Sequence, residues 1–133
     1  MSNIKIAILG LGTVGTGVCK IININKEEIL KRSGYEIEVT KVLVRNKNKK
    51  RNIDISEDLI TTDPEEIFNN QEIKIVVELM GGIEPAKEYI IKALKNKKHV
   101  VTANKALIST YGDELLALAE EMGVMLYFEG SVA

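Results

Sequence analysis

The sequence is poor in the residues that build disulfides and transition-metal sites. Among 133 residues there are one cysteine, Cys19, and one histidine, His99. A single cysteine excludes an internal disulfide and a cysteine pair as metal ligands, and it is typical of a reduced protein of the cytoplasm. His99 begins an apolar segment, and we expect it to face solvent or to be hydrogen-bonded locally rather than to act as a base or ligand. No serine or cysteine stands in a context that indicates nucleophilic catalysis.

The sequence also lacks an excess of either charge and any long apolar run. The chain carries 18 basic and 19 acidic residues, for a formal net charge of -1, which gives no reason to expect nucleic acid or an anionic membrane as partner. No segment is long enough to span a bilayer. The apolar run at the amino terminus is interrupted by Lys5 and glycines and does not resemble a signal peptide. A chain of this length buries one core.

Short apolar runs alternate along the chain with helical patterns, which is typical of βαβ units that feed a parallel sheet. The apolar runs predict five strands, at Ile4–Leu9, Ile37–Arg45, Ile73–Met80, His99–Ala103 and Val124–Glu129. The helical period predicts one helix carrying Val14 to Leu30 and ended by Gly34, one starting at Pro85 with Ala86, Tyr89, Ile90, Ala93 and Leu94 inward, and one from near Asp113 to Gly123. We therefore expect an α/β fold, a Rossmann-like doubly wound parallel sheet in a three-layer αβα arrangement.

The last predicted strand is followed only by "GSVA". Sheets of this kind bind their ligands beyond the carboxyl ends of the strands. We therefore expect residues 1–133 to form one truncated domain, the first of a longer enzyme.

The glycine-rich stretch "GLGTVG", residues 10–15, stands between an apolar strand and a predicted helix, where a dinucleotide fingerprint must stand. Gly10 allows the tight turn, Gly12 lets the backbone approach a pyrophosphate, and Gly15 lets the helix pack on the strand. Backbone amides at the positive end of the helix can hold the phosphates; they belong to Leu11, Thr13 and Val14. The alternative is a glycine turn that holds no ligand.

The end of the second predicted strand lacks the acidic residue that would accept hydrogen bonds from the adenosine ribose of NAD. Arg45 stands there instead, and it can stack on adenine and pair with a 2′-phosphate. The loop "NKNKKR" that follows adds positive charge, unless its lysines form only a solvated surface. The pattern favours NADP over NAD without excluding NAD.

The third predicted strand ends in "ELMGG". Gly81 and Gly82 stand where the ribose of nicotinamide approaches the backbone in such a sheet. Glu78 either serves the site or caps the following turn or helix, and Met80 is either a core residue or a hydrophobic wall of the site.

Five stretches carry a resemblance that covers essentially the whole chain: "ILGLGTVGTGV", "VLVR", "ELMGG", "HVVTANKALI" and "YFEGSVA". Together they closely resemble the amino-terminal nucleotide-binding domain of homoserine dehydrogenase. The resemblance implies NAD(P)-dependent interconversion of L-homoserine and L-aspartate 4-semialdehyde, on the route to threonine, methionine and isoleucine. It also implies a homodimer at full length, and little or no turnover without the domain that binds substrate and dimerises.

The resemblance further assigns individual residues. Lys105 matches a lysine of the active site, although the residue pattern alone would leave it a solvated surface lysine. Thr102 and Asn104 would support the turn and contact the nicotinamide end of the cofactor. A monovalent cation, sodium-like, would bind the Glu129 side chain and the Val132 carbonyl, since oxygen ligands suit a hard cation.

Two alternatives remain at this point. One is a non-catalytic NAD(P)-binding module with a regulatory or redox-sensing role, for which Lys105 has no special meaning. The other is another dehydrogenase of an amino-acid pathway with a similar first domain.

Overall fold

The computed structural model describes residues 3–10, 31, 34–45 and 57–128. The strands among them are β1 (Asn3–Leu9), β2 (Glu36–Leu43), β3 (Ile60–Thr61), β4 (Ile73–Glu78), β5 (His99–Thr102) and β6 (Leu126–Phe128). The helices bounded within these residues are α1 (Glu65–Phe68), α2 (Ala86–Lys95) and α3 (Lys105–Met122), and a 3₁₀ turn spans Glu57–Leu59. The predicted helix from Val14 to Leu30, which includes Cys19, lies outside the described residues.

The described strands form one sheet in the order β3-β2-β1-β4-β5-β6. Every pairing between neighbouring strands in that order is parallel. After β1, the chain adds β2 and then β3 on one side of it. It then returns to place β4 on the other side of β1 and adds β5 and β6 beyond β4, which is the strand order of a Rossmann fold. The predicted α/β class and Rossmann-like parallel sheet are confirmed.

The strands differ from the prediction at their ends. β2, β4 and β5 stop one to two residues before the predicted bounds, because the last residues there leave the sheet as loops. The strand β3 was not predicted, since it consists only of Ile60 and Thr61, which pair with Val42 and Leu43. Two residues are too few to show an apolar period.

The predicted start of the last helix near Asp113 is wrong, because α3 begins eight residues earlier, at Lys105. The Asn104 side chain accepts a hydrogen bond from the Leu107 amide and so caps the helix. Gly112, one residue before the predicted start, lies buried within α3. Gly123 ends the helix with φ +72°, as predicted.

The main core lies between the sheet and the described helices. From the sheet it takes residues such as Leu9, Val76 and Val100, all with less than 2% of their surface exposed. From α2 and α3 it takes Ala86, Ile90, Ala93, Leu94, Leu107, Leu115 and Ala119, and Tyr89 packs against it partly buried, so the predicted inward face of α2 is confirmed. A second cluster of Ile8, Val42 and Val44 marks the opposite face of the sheet. None of the described helices has the length and apolar content needed to cross a membrane.

Candidate functional site

The carboxyl ends of β1, β2 and β4 are tied together by backbone hydrogen bonds. The Gly10 amide donates to the Leu43 carbonyl at 2.8 Å, and the Leu79 amide donates to the Leu9 carbonyl at 2.9 Å. The loops leaving these strands therefore start side by side at the point where the strand order reverses. That point is where open parallel sheets bind dinucleotides.

Gly10 is in a backbone conformation that suits glycine, with φ +96°. A β-carbon there would lie 3.2 Å from both Cα and Cγ of Met80 and 3.3 Å from the carbonyl carbon of Leu79. Met80 itself is half-buried and packs against the main core. Glycine is thus required at position 10 for two reasons. Its own φ is positive, and the loop that leaves β4 lies too close to leave room for a β-carbon.

The glycine pair after β4 is exposed and needs glycine for its backbone conformation. Gly81 has φ +76° and Gly82 has φ +72°, in the left-handed region that other residues rarely adopt. A β-carbon at either position would meet no atom within 4 Å among the described residues. The pair therefore presents open backbone to which a ligand can come close.

Glu78 is fully buried at the end of β4 and is held by three hydrogen bonds. Its Oε2 accepts from the amides of Met80, at 2.8 Å, and Gly81, at 3.2 Å. Its Oε1 accepts from the Thr102 hydroxyl at 2.5 Å. Of the two roles considered for this residue, capping of the following turn is therefore present. The sequence signal was a carboxylate near the end of an apolar strand, three residues ahead of two glycines.

Thr102 and Asn104 continue this network at the end of β5. The Thr102 hydroxyl is fully buried and accepts a hydrogen bond from the Asn104 amide at 3.0 Å. The Asn104 side chain donates through Nδ2 to the Gly82 carbonyl at 2.5 Å and accepts through Oδ1 from the Leu107 amide at 3.1 Å. Both side chains are thus engaged within the protein and support the turn, as the resemblance implied. A contact with the cofactor stays a prediction for both.

Glu78, Thr102, Asn104 and Gly82 consequently form a closed circuit of hydrogen bonds, which we call the strand-end ring. It connects the loop after β4 with the loop after β5. The circuit closes through the backbone, because Gly82 directly follows Gly81, whose amide is bonded to Glu78.

Lys105 is the first residue of α3 and directly follows Asn104. Its side chain is exposed, and it makes no hydrogen bond or ion pair with any residue in the described ranges. The strand-end ring fixes the backbone from which this side chain projects, at the same sheet edge as the glycine pair.

Arg45 is exposed two residues past the end of β2. Its predecessor, Val44, is buried, and the Val44 amide donates to the Thr61 carbonyl at 2.9 Å. The backbone leading to Arg45 is therefore anchored, next to the Leu43 carbonyl that binds Gly10. Arg45 lies at the carboxyl edge of the sheet, as the prediction of an adenosine contact requires.

The other predicted site residues lie outside the described residues. These are Leu11, Gly12, Thr13, Val14 and Gly15 for the phosphates, and Glu129 and Val132 for the cation. Within the described residues, no group of three or more His, Cys, Asp or Glu side chains could hold a metal ion.

The opposite edge of the sheet holds a separate polar cluster around Lys98 and His99. The Lys98 ammonium is buried and donates to the carbonyls of Asn70, at 2.6 Å, and Ile73, at 2.8 Å. Burial lowers the pKa of Lys98, and the nearby charge of Lys74 lowers it further. His99 Nδ1 accepts from the Met125 amide at 3.0 Å, which confirms the expected local hydrogen bond. Both residues precede β5 or begin it, and so lie away from the carboxyl edge.

The described part of the edge fits a nicotinamide dinucleotide. Gly81 and Gly82 leave space that a side chain would fill, Arg45 supplies an exposed cation near the end of β2, and Lys105 supplies a second near the end of β5. The Arg45 guanidinium suits a phosphate, and the Lys105 ammonium suits an oxygen that gains negative charge in a reaction.

Comparisons with known proteins agree with this geometry. Residues 10–129 match the family described as homoserine dehydrogenase, NAD binding domain. The homoserine dehydrogenase of Bacillus subtilis is 44% identical over all of this chain and 31% of its own length; that of Lactococcus lactis is 51% identical over 98% of this chain and 31% of its length. A crystal structure of the S. aureus homoserine dehydrogenase superimposes with a TM-score of 0.93 at 50% identity, over all of this chain and 33% of that one.

A more distant structure, a hyperthermophilic archaeal homoserine dehydrogenase in complex with NADPH, has a TM-score of 0.74 at 25% identity over 96% of this chain and 44% of that one. The chain thus spans about a third of the length of the first three of these relatives. Because the family model matches residues 10–129 and these relatives match essentially the whole chain, the chain belongs to the homoserine dehydrogenase family as its NAD-binding domain.

Proposed function

We propose that the chain is the cofactor-binding part of an enzyme that interconverts L-homoserine and L-aspartate 4-semialdehyde with NAD(P). The observation that carries the proposal is the placement of Lys105 on the same sheet edge as the open glycine pair, with the strand-end ring joining the two loops. The Lys105 side chain is exposed and makes no hydrogen bond or ion pair with any described residue, so it is available to a bound substrate. The family of the chain supports the same substrates.

The reaction assigns a simple electrostatic task to Lys105. When bound, the nicotinamide supplies or takes up a hydride. Reduction of the aldehyde builds negative charge on the carbonyl oxygen, and the Lys105 ammonium stabilises that charge or donates a proton to it. In the oxidative direction the lysine amine accepts the hydroxyl proton. Gly81 and Gly82 would leave their backbone open to the nicotinamide ribose, at the same edge of the sheet as Lys105.

The proposal includes a preference for NADP. It rests on Arg45, an exposed guanidinium on an anchored strand end, in a place where an acidic residue would favour NAD. A similar archaeal enzyme was solved with NADPH, which supports the same cofactor here.

The proposal also extends to the features carried only by the resemblance. These are a monovalent cation bound by Glu129 and the Val132 carbonyl, a homodimer of the full-length enzyme, and a cytoplasmic location. The single cysteine supports the last of these.

The experiment that tests the proposal is Lys105→Ala in the full-length enzyme, assayed by homoserine-dependent reduction of NADP. We expect kcat to fall by about 10²- to 10⁴-fold, the usual range for loss of a group that transfers a proton, and NADPH affinity to change far less. Lys105→Arg should not recover kcat in this direction, because a guanidinium stays protonated and cannot accept the hydroxyl proton. Lys95→Ala is the control, since Lys95 is also exposed but ends α2, at the other edge of the sheet. Unchanged turnover in Lys105→Ala, or equal losses in both lysine variants, would remove the assigned role.

A further inference from the structure

Glu78 is an unusual group to bury in this fold. Its carboxylate has no exposed surface, and no cationic side chain contacts it among the described residues. It is satisfied only by two backbone amides and one hydroxyl. Burial of a carboxylate is costly unless its oxygens are fully hydrogen-bonded, so this residue needs a reason beyond closing one turn.

We infer that Glu78 is a positioning residue, which holds the glycine pair and the backbone of Lys105 in one fixed arrangement through the strand-end ring. This inference rests on the proposed function, because it assigns the ring a task in the same site. Neither Glu78 nor Thr102 is proposed to touch the substrate. Within the ring, both act on the backbone of Lys105 through Gly82 and Asn104.

The hydrogen bonds of the ring are of two kinds. Some hold one loop in shape, and the others connect the loop after β4 with the loop after β5. Glu78 fixes the loop after β4 through the amides of Met80 and Gly81. Thr102 links that carboxylate to the Asn104 amide, one residue before Lys105. Asn104 then reaches back to the Gly82 carbonyl, so that neither loop can shift alone without breaking a buried hydrogen bond.

The consequence for chemistry is geometric. Catalytic groups must be held close to the productive arrangement, and a displacement of about 1 Å can cost about 100-fold in rate. A lysine on the first turn of a helix moves with its backbone. The ring keeps that backbone in register with the exposed glycines.

Two variants open the ring without adding charge. Thr102→Val keeps the side-chain shape and removes the hydroxyl between Glu78 and the Asn104 amide, and Thr102→Ser is its matched control because it keeps the hydroxyl. Asn104→Ser keeps a good helix cap for the Leu107 amide and lacks the amide group that reaches Gly82. Since Asn104→Ser leaves the Glu78 site intact, it serves as the test if Thr102→Val does not fold.

The decisive measurement in the full-length enzyme is a double-mutant cycle on kcat, with each ring variant made in the wild-type and Lys105→Ala backgrounds. We expect Thr102→Val and Asn104→Ser to lower kcat by about 10- to 100-fold alone and by less than about 2-fold when Lys105 is already alanine, because coupled residues are not additive. Thr102→Ser should recover most of kcat. Thr61→Val controls for the loss of a buried threonine at a strand end, since the Thr61 hydroxyl also bonds a glutamate and the amide two residues on. It should keep kcat near the wild-type value.

Equal fold-losses in both backgrounds, or an equal loss in Thr61→Val, would overturn the inference. If the wild-type enzyme does not oxidise homoserine, the proposed function is wrong. Titration with NADPH then still tests whether the ring positions the glycine pair. We expect both ring variants to weaken NADPH binding several-fold relative to Thr102→Ser, because the glycine pair loses its support. Unchanged NADPH affinity in both variants would then overturn the inference.

Discussion

Gly10→Ala is expected to destabilise the protein through two separable effects. Gly10 has φ +96°, so alanine is disfavoured there by its own backbone. Its new methyl group would also meet Cα and Cγ of Met80 at 3.2 Å, shorter than the spacing of about 3.5 to 4.0 Å at which carbon atoms attract each other best. Gly81→Ala is a matched control, because Gly81 has a similar sign of φ, +76°, with nothing within 4 Å of the added carbon.

The magnitude follows from adding these effects. A left-handed backbone costs a residue with a β-carbon about 1 to 2 kcal/mol, and the loss of chain entropy in the unfolded state returns about 0.4 to 1 kcal/mol. Both terms apply to both variants. The contact with Met80 adds the cost of overpacking, about 1 to 3 kcal/mol, in Gly10→Ala only. For a domain of this size each kcal/mol lowers Tm by roughly 3 to 4 °C.

The assay is thermal unfolding of the two variants beside the wild type, followed by circular dichroism. Gly10→Ala should melt roughly 3 to 12 °C below Gly81→Ala. Because Met80 leads directly to the glycine pair, Gly10→Ala should also weaken NADPH binding. Equal melting temperatures for the two variants would refute the reasoning, since the close approach of Met80 would then cost nothing.

Two further changes test the cofactor preference and the buried lysine. Arg45→Ala should reduce affinity for NADPH by about 10-fold or more, as expected for loss of a charge-assisted pair with phosphate, with little change for NADH in fluorescence titrations. Lys98→Met should lower the free energy of unfolding by about 1 to 3 kcal/mol, because the carbonyls of Asn70 and Ile73 lose their donor. Burial lowers the pKa of Lys98 below 10.5, so between the two values the unfolded chain binds more protons than the folded chain. The stability of the wild type relative to Lys98→Met should therefore rise with pH as the lowered pKa is passed.

Each of these two predictions, for Arg45→Ala and for Lys98→Met, has a result that would contradict it. Equal losses of NADPH and NADH affinity in Arg45→Ala would show that this residue does not read the 2′-phosphate. A stability difference between wild type and Lys98→Met that falls from about pH 8 to about pH 10, measured by urea unfolding, would show that the folded state favours the charged lysine.

Much of the fold can be predicted from local patterns of apolar residues in the sequence. The strands that form the centre of the sheet were predicted because runs such as Ile6 to Leu9 are apolar and buried on both faces, which leaves a continuous signal in the sequence. The inward face of α2 follows from the helical period of Ala86, Ile90 and Leu94. β3 left no such signal, because its two residues are strand only by pairing with β2.

The start of α3 shows where local reasoning fails. Between Lys105 and Gly112 the sequence mixes polar residues, a tyrosine and a glycine, which weakens the helical pattern. The helix begins there because Asn104 caps it while its own side chain is held by Gly82, a residue 22 positions earlier. A contact across that separation exists only after β4 and β5 have paired.

The sequence by itself determined the fold class, the glycine positions with their need for unusual backbone angles, and the chemical types at the edge: Arg45, Glu78, Thr102, Asn104 and Lys105. The roles of Arg45 and Glu78 follow from spacing and side-chain chemistry, whereas those of Thr102, Asn104 and Lys105 come only from the resemblance. Only the tertiary structure decided that Glu78, Thr102 and Asn104 bond to one another and thereby join the glycine pair to the start of α3. The physical reason is that hydrogen bonds are short and directional, so which polar groups meet depends on the packing of parallel strands that are distant in the sequence.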